Sequence, residues 1–142
     1  MKQRFENRTT NLELNALTNK ANELLHHESV MMKEVSWKND FKFNSGDAQA
    51  VFLKFLTCDK IAPVFFYKPK WAWSKAMGYS DGKAIHLNSR KFGSFTEADI
   101  IGLLIHEYSH IAGFSHGSNY PSEEKNKFSV PYFLSSNIEK WL

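Results

Sequence analysis

Cysteine is nearly missing from this sequence: Cys58 is the only one in 142 residues. An intramolecular disulfide is therefore impossible and a Cys-rich zinc site is excluded. The lone thiol is expected as a small buried apolar group. No uninterrupted apolar run approaches the roughly 20 residues of a membrane span, so no membrane partner is expected. Residues 1–11 are polar, carry both charge signs and lack the apolar centre of a secretory signal. The expected location is the cytoplasm, or outside it, either exported by a route that needs no such signal or with a leader already removed. Charge of one sign is also scarce in excess. Lys and Arg number 18 against 15 Asp and Glu, a net of +3. The basic residues are spread along the chain without a compact block, so nucleic acid is not an expected partner. Internal repeats and low-complexity stretches are absent.

What is present suffices for one domain spanning residues 1–142, monomeric by default. Hydrophobic residues make up 42% and aromatic residues 15%, enough for a core that needs no covalent staple. Leu14, Leu17, Ala21, Leu24 and Leu25 recur at helical spacing and predict an amphipathic helix over 11–28. Val35, Trp37, Phe41 and Phe43 alternate with polar residues and suggest a short or broken strand. Residues 44–47 read as a turn, followed by a helix to about Thr57 with Val51, Phe52, Phe55 and Leu56 as its buried stripe. The apolar run 64–67 predicts a strand, and Trp71 and Trp73 begin another, as core or cleft wall. Asp81-Gly82 is the strongest hairpin signal in the chain. It joins a strand ending near Tyr79 to one over 83–88, with Ile85 and Leu87 on one face and Ala84, His86 and Asn88 on the other.

A central helix follows. Thr96 is its expected N-cap, with Ser94 and Glu97 as a competing capping box. From Ile100 to Ala112 it is apolar nearly all round, as a buried helix is, and Gly113 is the expected left-handed stop. The chain then reads as a polar loop ending in a short helix, capped by Ser136 with Glu139 and anchored by Ile138, Trp141 and Leu142.

The central helix carries His106-Glu107-Tyr108-Ser109-His110. Residues at i and i+4 lie about 40° apart and one turn along a helix, so the two imidazoles can share one metal ion. Glu107 is about 100° round from His106, too far to be the obvious third ligand but able to reach a water on the metal. A catalytic zinc needs a third protein ligand and an open fourth position. His116, three residues past Gly113, supplies that ligand. A residue with a Cβ would resist the positive φ of the turn that brings the chain back. The short H-E-x-x-H pattern arises by chance in roughly two such chains per hundred, but the pattern extended through Gly113 and His116 arises in roughly four per hundred thousand. Three of the 6 histidines lie in this stretch. His26 and His27, near a helix end, read as solvent-exposed.

These five residues, His106, Glu107, His110, Gly113 and His116, resemble the extended zinc signature of the metzincin metallopeptidases. The resemblance implies an α+β fold: a small mixed sheet packed on helices, a central active-site helix, an upper part of about 1–113 and a small lower part of about 114–142. It implies one catalytic Zn²⁺, held by His106, His110 and His116. It implies an edge strand, here taken as Ala84, His86 and Asn88 over 84–88, that pairs with an extended peptide or protein substrate. The family carries a methionine turn beneath the zinc. Met1, Met31, Met32 and Met77 all lie upstream, so residues 129–132 are read as a variant of that turn, with Pro131 or Val130 in the methionine's place. Tyr132, just after it, is the candidate for contact with the transition state.

The expected activity is zinc-dependent endopeptidase hydrolysis, with Glu107 as general base toward a zinc-bound water and Tyr132 assisting. The alternative is a zinc-stabilised protein-binding module without catalysis, with Glu123, Glu124 or Tyr132 closing the fourth position. A DNA-associated zincin would need a concentrated basic surface.

Overall fold

The computed structural model describes residues 3–27, 53–71, 76–116 and 130–142. The first elements are β1 (Phe5–Asn7) and α1 (Leu12–His26). Asn11 starts α1 by accepting the Leu14 N–H on its side chain at 2.8 Å, satisfying one of the amides a helix start leaves over. Leu14, Leu17, Ala21, Leu24 and Leu25 are all buried, so the face expected from the spacing is the face that packs. Asn22 on the same helix has a role that periodicity does not reveal. Its Oδ1 accepts the N–H groups of Arg4 and Phe5, and its Nδ2 donates to the Phe5 carbonyl. The side chain serves β1 as a neighbouring strand would, and it closes that edge of the sheet.

The described strands form one four-stranded sheet in the order β1-β2-β4-β3, with β2 at Ala62–Tyr67, β3 at Gly78–Ser80 and β4 at Ile85–Asn88. β1, β2 and β4 run parallel, and β3 is antiparallel to β4. The molecule is thus a mixed α/β protein, as the α+β expectation required at that level. Ala62, Val64, Ile85 and Leu87 line the buried face; Phe65, Tyr79 and half-buried His86 stand on the opposite one. The hairpin between β3 and β4 is the one expected at Asp81-Gly82. The Asp81 carboxylate accepts the Lys83 and Ala84 N–H groups at 2.9 and 2.8 Å, and Gly82 has a φ of 90°.

α2 (Glu97–Ile111) is the centre of the fold and touches α1, β3, β4 and both C-terminal helices. Its cap is Thr96, in a capping box completed by Asp99 rather than by the Ser94–Glu97 alternative. Ile101, Leu104, Ile105 and Tyr108 are fully buried. The Tyr108 hydroxyl donates to the carbonyls of Lys60 at 2.8 Å and Cys58 at 3.3 Å, and its ring meets those of Phe5 and Phe55 edge-on. Two short helices, α3 (Val130–Ser136) and α4 (Ile138–Trp141), pack against α2. Among the described residues no helix is long and apolar enough to cross a membrane.

Several expectations need correction. β4 is not an edge strand: β2 takes one side and β3 the other. Among the described strands the edge is β3, a strand too short to be distinguished from its partner by apolar pattern. Val130 to Tyr132 are helical, part of α3, instead of a tight turn; Ser129, the first residue of that expected turn, lies outside the described residues. α4 starts from Asn137 without a side-chain cap, and Leu142 is exposed. Trp71 is exposed as well, and Cys58 is half-buried at the margin of the core. The strand read near 35–43, the turn at 44–47, most of the helix ending near Thr57, and Trp73, Glu123 and Glu124 lie outside the described residues. Of that helix, residues 53–56 are helical, with Phe55 and Leu56 buried.

Candidate metal centre

Three local decisions bring three imidazoles together. The α-helical turn sets His106 above His110 on the cleft face of α2. The helix then ends in a Schellman arrangement: the Phe114 N–H bonds to the Ser109 carbonyl and the Gly113 N–H to the His110 carbonyl. Gly113 takes the left-handed conformation at φ 102°, and Phe114, the residue after it, is buried. The reversal carries His116 back toward the helix. One potential ligand atom from each of His106, His110 and His116 lies within 4.8 Å of the other two, close enough for all three to bind one metal ion.

The geometry suits a small tetrahedral ion. Metal–nitrogen bonds of about 2.05 Å at tetrahedral angles separate two ligand nitrogens by about 3.3 Å. The Nε2 atoms of His106 and His116 are 3.3 Å apart. His110 donates from Nδ1 to the Phe114 carbonyl at 2.8 Å, which leaves its Nε2 as the ligand atom. The His106 ring also hydrogen-bonds the Pro131 backbone, so α3 orients the first ligand. Burial, then the neighbouring His110 and His116, hold His106 down at about 3. That imidazole is therefore neutral at ordinary pH, the form a metal requires.

Glu107 and Tyr132 complete the centre. Glu107 is 9% exposed, and burial pushes its carboxyl up to about 7 while a hydrogen bond from the Ser80 backbone pulls the other way. The Tyr132 ring lies 4.7 Å from that of His106 and 4.6 Å from that of His116, centroid to centroid. Its hydroxyl is raised by burial and then by the Glu107 charge. All five groups line a cleft of about 1140 Å³ between α2, β3 and the C-terminal helices.

Ala84, His86 and Asn88 do not line the cleft. His86 stands on the outer face of the sheet, held by Asp81 at 3.1 Å. Asn88 is buried, donating to the Ala76 carbonyl at 2.9 Å and accepting the Arg90 N–H at 3.0 Å. Ala84 ends the hairpin. The cleft wall opposite α2 is instead Met77, Gly78, Tyr79 and Ser80, residues the sequence reading did not single out. The hairpin signal at Asp81 was their only trace. Asp99 and Gly102 also line the cleft; their positions seven and four residues before His106, on the same side of the helix, would have predicted it.

Gly78 is needed for space. A Cβ built there would lie 2.5 Å from the His86 carbonyl oxygen and 3.1 Å from Leu103 Cδ2. Gly78→Ala is expected to push β3 off β4, with a loss of about 1–3 kcal/mol. Urea denaturation, with amide exchange at Tyr79 and Ser80, measures it; an unchanged midpoint and unchanged exchange would contradict the close approach.

The raised Glu107 carboxyl has a consequence for the metal-free protein. The unfolded chain carries an ordinary carboxyl near 4.5 and the folded one titrates near 7. Between those values the native state binds more protons than the unfolded state, so stability falls as pH rises across the window. The full effect is on the order of 3 kcal/mol. Glu107→Gln cannot ionise and lacks that loss. Urea midpoints of both metal-free proteins, followed from about pH 4.5 to pH 8, should diverge with rising pH, the variant becoming the more stable; parallel curves would refute the assignment.

Comparison with known protein families, with curated proteins and with solved structures gives no match for this chain.

Proposed function

We propose that the protein is a zinc-dependent endopeptidase of the metzincin type, with His106, His110 and His116 as the zinc ligands. The observation that carries this reading is the convergence of three imidazoles beside a buried carboxyl within one open cleft. A purely structural zinc prefers four protein ligands and has no use for a carboxyl of raised affinity for protons. When bound, the ion supplies Lewis acidity, polarising the scissile carbonyl and lowering the pKa of a ligated water toward about 7.

The chain's own groups do the rest. Glu107 accepts a proton as water oxygen attacks the carbonyl carbon. It returns the proton to the amide nitrogen as the C–N bond breaks, releasing an amine and a carboxyl product. Tyr132, whose phenol keeps its proton well above neutral pH, is the donor toward the oxyanion that develops. Backbone pairing along β3 holds the peptide extended. The Met77 carbonyl accepts the Asn88 N–H and the Asp81 N–H donates to the Ala84 carbonyl, so strand alternation turns the main-chain groups of Gly78 and Ser80 away from β4. The Ser80 N–H is engaged by Glu107, and the Gly78 N–H and C=O and the Ser80 C=O are the groups a peptide would pair with.

Metal analysis of the purified protein, paired with a peptide-library digest by wild type and Glu107→Gln, tests the reading. One zinc per chain and hydrolysis that the variant loses are the expected results. Zinc without hydrolysis of any peptide would favour the binding module instead, and protein that stays metal-free under saturating zinc would reject both.

A further inference from the structure

The outer face of the sheet carries a row of rings that ends at the same edge. Phe65, His86 and Tyr79 are direct cross-strand partners on β2, β4 and β3. Their planes are nearly parallel: Phe65 and His86 at 18° with centroids 5.7 Å apart, His86 and Tyr79 at 19° and 4.7 Å. The Asp81 carboxylate pins the middle ring, and Tyr67 packs its ring against Tyr79 at 5.2 Å. Among the described residues the stack runs across the strands and stops at β3, where Tyr79 remains 46% exposed beside the cleft.

A stack of this kind predicts its next member. A strand added to the open edge of β3 puts the residue opposite Tyr79 on the same outer face, with its Cβ about 4.5–5.5 Å away. An aromatic side chain there continues the offset stack, whereas an aliphatic one covers the ring without matching its quadrupole. We propose that Tyr79, backed by His86 and Phe65, is a specificity-determining residue that selects an aromatic side chain at the peptide position paired with it. This rests on the reading of the cleft as a peptide site. It adds a side-chain preference that the metal centre does not supply, since the selected residue lies on the face of the sheet away from the imidazoles.

The test does not require turnover. The zinc-loaded Glu107→Gln protein is panned against a display library of random peptides, and the recovered sequences are aligned for enrichment at a fixed position. Aromatic residues should be enriched about 3- to 10-fold at one position. The enrichment should persist on Tyr79→Phe and vanish on Tyr79→Ala. Tyr79→Val, a strong strand former, repeats the loss should the alanine variant fold poorly. Enrichment that is absent, or that survives both Tyr79→Ala and Tyr79→Val, overturns the proposal. Failure of the peptidase reading looks different: wild type hydrolyses nothing while the aromatic selection stands. Hydrolysis by wild type without any aromatic preference overturns the ring row alone.

Discussion

Glu107→Gln is expected to lower kcat by about 10²- to 10⁴-fold, the usual contribution of a positioned general base, while zinc content stays at one ion per chain. The substitution is chosen for what it leaves alone. Glutamine matches the shape of the carboxyl and keeps an oxygen that can accept from the Ser80 backbone. It also carries no charge into a pocket where burial already pushes the carboxyl up to about 7, so the folded state has no reason to object. Neither His106 nor His110 is touched. Initial rates on a fluorogenic peptide, with elemental analysis of the same samples, separate the two effects. Activity within tenfold of wild type at equal zinc content would remove Glu107 from the mechanism.

Removal of one ligand should have the largest effect on stability. Zinc at about a thousand times its dissociation constant adds about 4 kcal/mol to the folded state, which for a chain of this size raises Tm by about 10–15 °C. His116→Ala is expected to lose most of that rise while leaving the metal-free Tm within a few degrees of wild type. The reason is local: His116 lies beyond the Schellman turn, so its loss leaves α2 and its cap intact. His26, exposed at the end of α1, provides the control, and His26→Ala should keep the full zinc-induced rise. Differential scanning calorimetry with and without added zinc measures all three proteins. An undiminished zinc response in His116→Ala would strike His116 from the ligand set.

Much of the metal centre was legible because its determinants are local. The spacing of His106 and His110 needs only a helix, and the helix announces itself through Thr96, the apolar run and Gly113. The turn that returns His116 is itself a helix-end motif, set by one glycine and the apolar Phe114 behind it. The hairpin at Asp81 was visible for the same reason, since an Asp side chain and a glycine decide it within four residues. Tyr132 was harder. Its separation from the imidazoles along the chain hides the contact, and only the family resemblance pointed to it; the expected tight turn proved to be helical from Val130 to Tyr132.

Sheet order was not legible, and the edge strand was misassigned for that reason. Alternation of Ile85 and Leu87 with His86 and Asn88 reports which face of a strand is buried, but it carries no information about which strand lies beside it. That depends on contacts between segments far apart in sequence: β2 inserted between β1 and β4, Asn22 of α1 closing one edge, and β3 the last described strand at the other. The amino-acid sequence alone determined that His106, His110 and His116 could converge, with Glu107 beside them, and the turn that joins them, because helix geometry and a left-handed glycine act over a few residues. The tertiary structure alone decided which edge faces the cleft and where the row of rings ends, because strand neighbours are chosen by packing across the whole domain.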